Sequence, residues 1–195
     1  MLDHRGELSA VNFKSLTIPH VPAAYSEVDD RSRILSMAVT IVVVSDTHCY
    51  RWEEVHPDIR KAVSEADIAV HCGDLVRMDV VQGMRSTAKR SVVVHGNSDP
   101  VDIRQTLPYV ETLDVDGVRI GVTHPAWGGP PFEMEELLGD FPEHVDAILF
   151  GHLHETVNAL YKGVHFVNPG QGYSSFMVPA TIAVVTVDGG ITSVD

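Results

Sequence analysis

Residues of the types that bind metal ions occur in five short clusters, each directly after a run of apolar, β-branched residues. The seven candidates are Asp46, His48, Asp74, Asn97, His124, His152 and His154. Imidazole and carboxylate groups are common ligands of transition metals, although one such cluster alone carries little weight. Because all five clusters follow their apolar runs in the same way, the sequence predicts one metal site built from all of them.

The last cluster reads GHLH and places His152 and His154 two residues apart. In an extended segment, side chains at i and i+2 point the same way. The two imidazoles are therefore expected to converge on a metal ion, and the alternative is a pair of histidines on a solvated loop. We interpret Gly151 as the residue that turns the end of the strand.

The elements that position these residues alternate between strands and helices from Ala38 onward. Runs of Val and Ile without alternation indicate strands buried on both faces, and the segments between them have helical spacing. Strands are expected within 38–48, 67–74, 91–99, 118–125 and 145–154, and helices at about 57–66, 79–88 and 132–138. After His154, the runs HFVNPG (165–170), TIAVVTVDGG (181–190) and ITSVD (191–195), joined by Gly and Asp turns, predict further antiparallel strands. In such an α/β fold the carboxyl ends of the strands form the ligand-binding edge, where we expect the seven residues to meet.

The composition limits the classes of function. A chain of 195 residues suits one packed domain, and its net charge of −13 argues against strong nucleic-acid binding. No apolar run approaches the roughly 20 residues that span a bilayer, and no secretory signal is visible, so we expect a cytoplasmic protein without a membrane partner. The two cysteines, Cys49 and Cys72, are too few for a disulfide framework.

The first 37 residues differ from the remainder in their hydrophobic pattern. Residues 1–37 lack clear periodicity, which predicts an irregular leader, and residues 38–195 are expected to form the domain. The alternative is an extra strand or helix packed on the edge of that domain.

Taken in order, the clusters resemble a known family. The motifs DTH (46–48), GD (73–74), GNSD (96–99), TH (123–124) and GHLH (151–154) resemble those of the calcineurin-like metallophosphoesterases, in particular their small bacterial and archaeal phosphodiesterases. The segment VNPGQ (167–171) is also similar to that branch. The resemblance implies a four-layer α/β/β/α sandwich with a two-metal centre at the carboxyl ends of the strands.

The resemblance also implies a role for each candidate ligand. Asp46, His48 and His154 would hold one ion, Asn97, His124 and His152 the other, and Asp74 would bridge the two. Asp74, Asn97 and His124 would also be the catalytic residues. Mixed nitrogen and oxygen ligands suit Mn, with Ni, Zn and Fe as alternatives. A hydroxide bridging the two ions would attack phosphorus, and the charge of the ions would attract phosphate to an acidic protein.

Three residues near the motifs are candidate supports for the ligands. Ser98 stands where larger family members carry a histidine, which puts a histidine acid for the leaving group in doubt. Asp99 is expected either to hydrogen-bond to the site or to cap the short helix that follows. His71 either supports a ligand or packs in the core.

The loop after His124 departs from the family pattern because Pro125 follows the histidine. Trp127 and Phe132 either hold this loop down or contact a nucleoside or aryl group of the substrate.

We therefore expect a phosphodiesterase whose partner is a small phosphate-ester substrate. One alternative is a non-catalytic protein-interaction scaffold of the same fold, like a retromer subunit, although all seven ligand positions are filled by competent residues. Phosphomonoesterase and nuclease activity are further alternatives, and assembly as a homo-oligomer is left open.

Overall fold

The computed structural model describes residues 37–125 and 132–195, which form two mixed five-stranded sheets. Along the chain the strands are β1 (Val39–Val44), β2 (Ile68–Cys72), β3 (Ser91–Val94), β4 (Val110–Val115), β5 (Val118–Thr123), β6 (Ala147–Phe150), β7 (Thr156–Tyr161), β8 (Val164–Pro169), β9 (Ala183–Val187) and β10 (Ile191–Val194). The first sheet has the order β10-β9-β1-β2-β3 and the second has the order β4-β5-β6-β8-β7.

Helices cover the outer faces of both sheets. They are α1 (Pro57–Glu65), α2 (Met78–Thr87), α3 (Val101–Thr106) and α4 (Met134–Leu138), with a short 3-10 helix at Trp52–Glu54. No helix within residues 37–125 and 132–195 is both long and apolar enough to cross a membrane.

Alternate residues of the central strands pack on opposite sides, which explains their continuous apolar runs. Ile41 and Val43 of β1 join the core between the two sheets, whereas Val42 and Val44 pack under α1 to α3. A third apolar cluster lies between the second sheet and α4 and includes Leu137. The structure therefore has the four α/β/β/α layers that the family resemblance implies, and this expectation is confirmed.

The parallel strands place their carboxyl ends at a common edge. In the first sheet β1, β2 and β3 are parallel neighbours, and in the second sheet β5, β6 and β8 are. The loops that leave β1, β2, β3, β5 and β6 contain all seven candidate ligands.

The structure corrects the expected elements in two respects. Strand β8 runs parallel to β6, although only antiparallel strands were expected after His154. Its six residues are all buried, as in a strand with a neighbour on each side. Strands β4 and β7 were not expected, because as the two edge strands of the second sheet they are largely exposed or half-buried and lack a continuous apolar run. The leader expected at 1–37 lies outside the described residues except for Met37.

Candidate metal centre

Three of the seven residues converge at one end of the site. The His154 Nε2 atom lies 3.2 Å from Asp46 Oδ1, and His48 Nε2 lies 4.0 Å from the same oxygen. The two imidazole Nε2 atoms are 3.4 Å apart. Potential ligand atoms of these three residues all lie within 4.8 Å of one another, which is close enough for a single ion to join them.

A second group shares the Asp46 carboxylate and adds Asp74 and His124, with the same mutual limit of 4.8 Å. Asp74 Oδ1 lies 3.6 Å from His124 Nε2, while Asp74 Oδ2 lies 3.8 Å from His48 Nε2. The two oxygens of Asp74 therefore face opposite halves of the site.

Asn97 and His152 complete the second half. The amide oxygen of Asn97 lies 3.1 Å from His124 Nε2 and 2.9 Å from His152 Nδ1. The Nδ1 atom of His124 lies 2.6 Å from the carbonyl oxygen of Cys72, which can only accept a hydrogen bond. In neutral His124 the proton is thus on Nδ1, and the Nε2 lone pair is directed into the site.

Backbone strain is concentrated at the ligands. Of the eight non-glycine residues with positive φ in the described chain, five are candidate ligands: Asp46, His48, Asp74, His152 and His154. Such conformations cost of order 1–3 kcal/mol each and cluster at functional sites. Because both histidines of the GHLH motif have left-handed φ, the segment is not extended, and His152 faces Asn97 while His154 faces Asp46.

Gly151 has a different role from the one expected. Its φ is not in the left-handed region, so it does not supply the turn. A Cβ atom at this position would lie 2.0 Å from Ser45 Oγ and 2.8 Å from His124 Nδ1. Glycine is required there because the main chain passes directly over the side chains of the site.

The charges of the cluster shift several pKa values. Burial raises the pKa of Asp46, but the interaction with His154 and the nearby His124 ring outweigh it, and the net shift is downward. The contact with Asp46 raises the pKa of His154 above its usual value. Burial and the neighbouring His124 ring lower the pKa of His152. These shifts favour the anionic form of Asp46 and the cationic form of His154, whereas they favour the neutral form of His152.

The donor set fits divalent transition metals. Asp46 Oδ1 is buried and makes no hydrogen bond of good geometry, so its lone pairs are available to a cation. Imidazole nitrogens, two carboxylates and an amide oxygen converge on the same space. Such a mixed set suits Mn, Fe, Zn or Ni better than the all-oxygen shells of Ca²⁺.

Asp99 and Arg104 hold the loops behind the ligands. The Asp99 carboxylate is fully buried and accepts hydrogen bonds from the backbone N–H groups of Asp74 (3.0 Å), Val76 (2.7 Å) and Gly96 (2.7 Å). It does not cap α3, whose first residue follows Pro100 without a side-chain cap. Arg104 donates to the carbonyl oxygens of Asn97 and Asp99.

His71 and Ser45 lie beneath the site. His71 is fully buried, and burial lowers its pKa to about 3, so the ring is neutral. Its Nε2 atom is 3.2 Å from Thr47 Oγ1, in the loop between Asp46 and His48. Ser45 Oγ donates to Asp46 Oδ2 at 2.6 Å, a contact that sequence reasoning missed, although Ser45 directly precedes the first motif.

Two further residues near the site were also missed. The Tyr173 ring packs edge-on against His48 and His154, with centroids 5.5 and 6.0 Å away. Asn168 is buried, donates to the carbonyl oxygen of Gly151 and accepts from Gly170 N–H. Asn168 belongs to the VNPGQ segment, whose resemblance to the family was the available signal.

The aromatic residues of the loop after His124 separate into two cases. Phe132 packs against the cluster beneath α4, with its ring centroid 6.2 Å from that of Phe150, which favours a packing role over contact with substrate. Trp127 lies outside the described residues.

Comparison with known proteins gives consistent matches. A model of the calcineurin-like phosphoesterase superfamily domain matches residues 39–190. A protein of Methanocaldococcus jannaschii named a probable metallophosphoesterase is 31% identical over 140 residues, which cover 70% of each chain. A phosphodiesterase of the same archaeon is 24% identical over 147 residues, or 67% of this chain and 82% of that protein. Vps29 of Chaetomium thermophilum shares the fold with a TM-score of 0.64 at 20% identity, over 77% of this chain and 83% of that one.

Proposed function

Because this chain belongs to the calcineurin-like phosphoesterase superfamily, we propose that it is a phosphodiesterase that uses two divalent metal ions. The observation that carries the proposal is that two candidate metal-binding groups adjoin at the strand ends, with Asp74 Oδ2 near His48 of one group and Asp74 Oδ1 near His124 of the other. Two such ions, if bound, would supply activation of a water nucleophile at neutral pH and stabilisation of negative charge on the phosphoryl oxygens.

The residues of the chain have separate tasks in this proposal. Asp46, His48 and His154 would hold one ion, and Asn97, His124 and His152 would hold the other. The Asp74 carboxylate would contribute to both, since Oδ2 lies near His48 and Oδ1 lies near His124. The close packing of these residues at the strand ends keeps the ligands in place before the substrate arrives.

Electrostatics explain how an acidic protein would attract a phosphate ester. The chain has a net charge of −13, yet only Asp46 and Asp74 contribute carboxylates to the ligand set. Two divalent ions opposed by two carboxylates leave a local charge of about +2, and a bound ion dominates the field near it. The substrate phosphate is thus drawn to the centre and not to a basic surface.

Two observations favour a diester with a good leaving group. A relative that shares 24% identity is named a phosphodiesterase. The hydroxyl of Ser98 donates its proton to Asp74 Oδ2 at 2.7 Å, so it is not free to protonate a leaving oxygen. A well-placed acid typically contributes about 10²- to 10⁴-fold, and since Ser98 does not supply one, esters with stable leaving anions should react fastest.

The scaffold alternative has less support. Likeness to Vps29 at 20% identity concerns the fold and leaves activity open. All seven positions are filled by residues that can bind metal, and their side chains form a connected cluster at one edge of the sheets, which favours an enzyme. The preference for Mn and the cytoplasmic location stay predictions.

A diester and a monoester with the same leaving group test the proposal. Purified full-length protein supplied with Mn²⁺ should hydrolyse bis(4-nitrophenyl) phosphate with a higher kcat/KM than 4-nitrophenyl phosphate. Asp74→Asn should abolish this activity, whereas the matched variant Asp102→Asn, on the exposed surface of α3, should retain it. Higher kcat/KM for the monoester would contradict diester specificity, and full activity in Asp74→Asn would contradict the metal-dependent mechanism.

A further inference from the structure

Ser98 contacts both oxygens of the Asp74 carboxylate. Its backbone N–H donates to Oδ1 and its hydroxyl donates to Oδ2, each at 2.7 Å. Ser98 belongs to the loop after β3, whereas Asp74 belongs to the loop after β2, so these hydrogen bonds join two of the loops that carry candidate ligands.

The main chain of Asp74 is fixed by other groups. Its φ is 59°, its N–H donates to Asp99 Oδ2 at 3.0 Å, and its carbonyl oxygen accepts from His48 N–H at 3.1 Å. These contacts do not fix the rotation of the carboxylate about the Cβ–Cγ bond, and aspartate side chains adopt a broad range of angles about this bond. The two hydrogen bonds from Ser98 define it.

The orientation that Ser98 selects leaves room for metal ions. An ionised carboxylate offers about four lone-pair sites, and Ser98 occupies one on each oxygen. One site on each oxygen remains, and His124 Nε2 lies 3.6 Å from Oδ1 while His48 Nε2 lies 3.8 Å from Oδ2. Gly96 permits this arrangement, because a Cβ atom there would lie 2.2 Å from Asp74 Oδ1.

We propose that the Ser98 hydroxyl is a positioning residue that holds the Asp74 carboxylate across both halves of the metal centre. This inference rests on the proposed function, because it concerns the residue assigned to span the two ions. It gives Ser98 a task other than that of a leaving-group acid: its proton orients a ligand. Removing the hydroxyl releases Oδ2 but leaves the backbone hydrogen bond to Oδ1, so the carboxylate regains rotational freedom.

Calorimetric titration of chelator-treated full-length protein with Mn²⁺ tests this inference without an activity assay. Ser98→Ala should weaken Mn²⁺ binding about 10- to 100-fold, as expected for the loss of a hydrogen bond to a metal ligand. Ser98→Thr keeps the hydroxyl and should bind nearly as tightly as the wild type. Ser64→Ala removes a hydroxyl that bonds within α1 and serves as the matched control. Thermal unfolding of each variant verifies that it is folded.

The possible outcomes separate the two proposals. Equal Mn²⁺ affinity in wild type, Ser98→Ala and Ser98→Thr would overturn the role of Ser98 and leave the proposed metalloenzyme intact. Equal weakening in Ser98→Ala and Ser98→Thr would also overturn it, because packing and not the hydroxyl would then be responsible. Absence of Mn²⁺ binding by the wild type would contradict the metal centre itself.

Discussion

The buried carboxylate of Asp99 provides a quantitative test of how the site is held together. It accepts three backbone hydrogen bonds from two loops, those of Asp74, Val76 and Gly96. Replacement by alanine removes all three acceptor contacts at once. The free energy of unfolding should therefore fall, and the loop that carries Asp74 should lose its fixed position.

The magnitude distinguishes this role from helix capping. A buried N–H group left without a partner costs about 1–3 kcal/mol, so the loss of three acceptor contacts should destabilise the protein by about 3 kcal/mol or more. Loss of a simple N-cap costs typically about 1 kcal/mol. Asp99→Asn retains an amide oxygen and should be less destabilising than Asp99→Ala.

Urea unfolding of the metal-free protein, followed by circular dichroism, measures this difference. Asp102→Ala is the matched control, because Asp102 lies in the first turn of α3 and is exposed. Its removal should cost no more than about 1 kcal/mol. If Asp99→Ala lowers the free energy of unfolding by about 1 kcal/mol or less, Asp99 does not join the two loops as inferred, and a local role at the start of α3 is favoured.

Three further predictions follow from the structure. Because burial lowers the pKa of His71 from 6.5 to about 3, the unfolded chain takes up a proton that the folded protein does not between those pH values. The free energy of unfolding should therefore fall by about 1.4 kcal/mol per unit of decreasing pH in this range. In His71→Gln, urea unfolding across pH 4–6 should show a weaker pH dependence of the free energy of unfolding, because one proton fewer is taken up on unfolding, and an unchanged pH dependence would contradict the neutral buried ring. Asn168→Ala removes the hydrogen bond to Gly151 O and should lower kcat and Mn²⁺ affinity in kinetic and calorimetric measurements, whereas unchanged values would exclude a role for Asn168 in placing the GHLH loop. Across diesters of graded leaving-group pKa, kcat/KM should fall steeply as that pKa rises; a flat dependence with chemistry rate-limiting would mean that another group acts as the acid.

Buried strands were predictable from the sequence because both of their faces are apolar. Strands β1, β2 and β6 have uninterrupted or nearly uninterrupted apolar runs, and each lies inside a sheet with helices or the other sheet on its faces. Strand β4 was missed because one side of it has no neighbouring strand and its side chains are largely exposed. The turn at Asp116 and Gly117, with φ of 48° and 79°, was the available signal for its pairing with β5.

Residue types at strand ends indicated the candidate ligands, but local sequence did not determine their orientation. The left-handed φ values of His152 and His154 separate two side chains that an extended segment would place on one side. The role of Asp99 was ambiguous for a similar reason, since its partners at Asp74 and Val76 are 25 and 23 residues away. Contacts over such distances depend on how the loops meet in the folded protein.

The number of metal ions required for activity tests the central claim most directly. Chelator-treated protein should be inactive toward bis(4-nitrophenyl) phosphate, and stepwise addition of Mn²⁺ should restore full activity only when elemental analysis finds two tightly bound ions per chain. Full activity in the chelated protein, or after one bound ion, would contradict a two-metal phosphodiesterase.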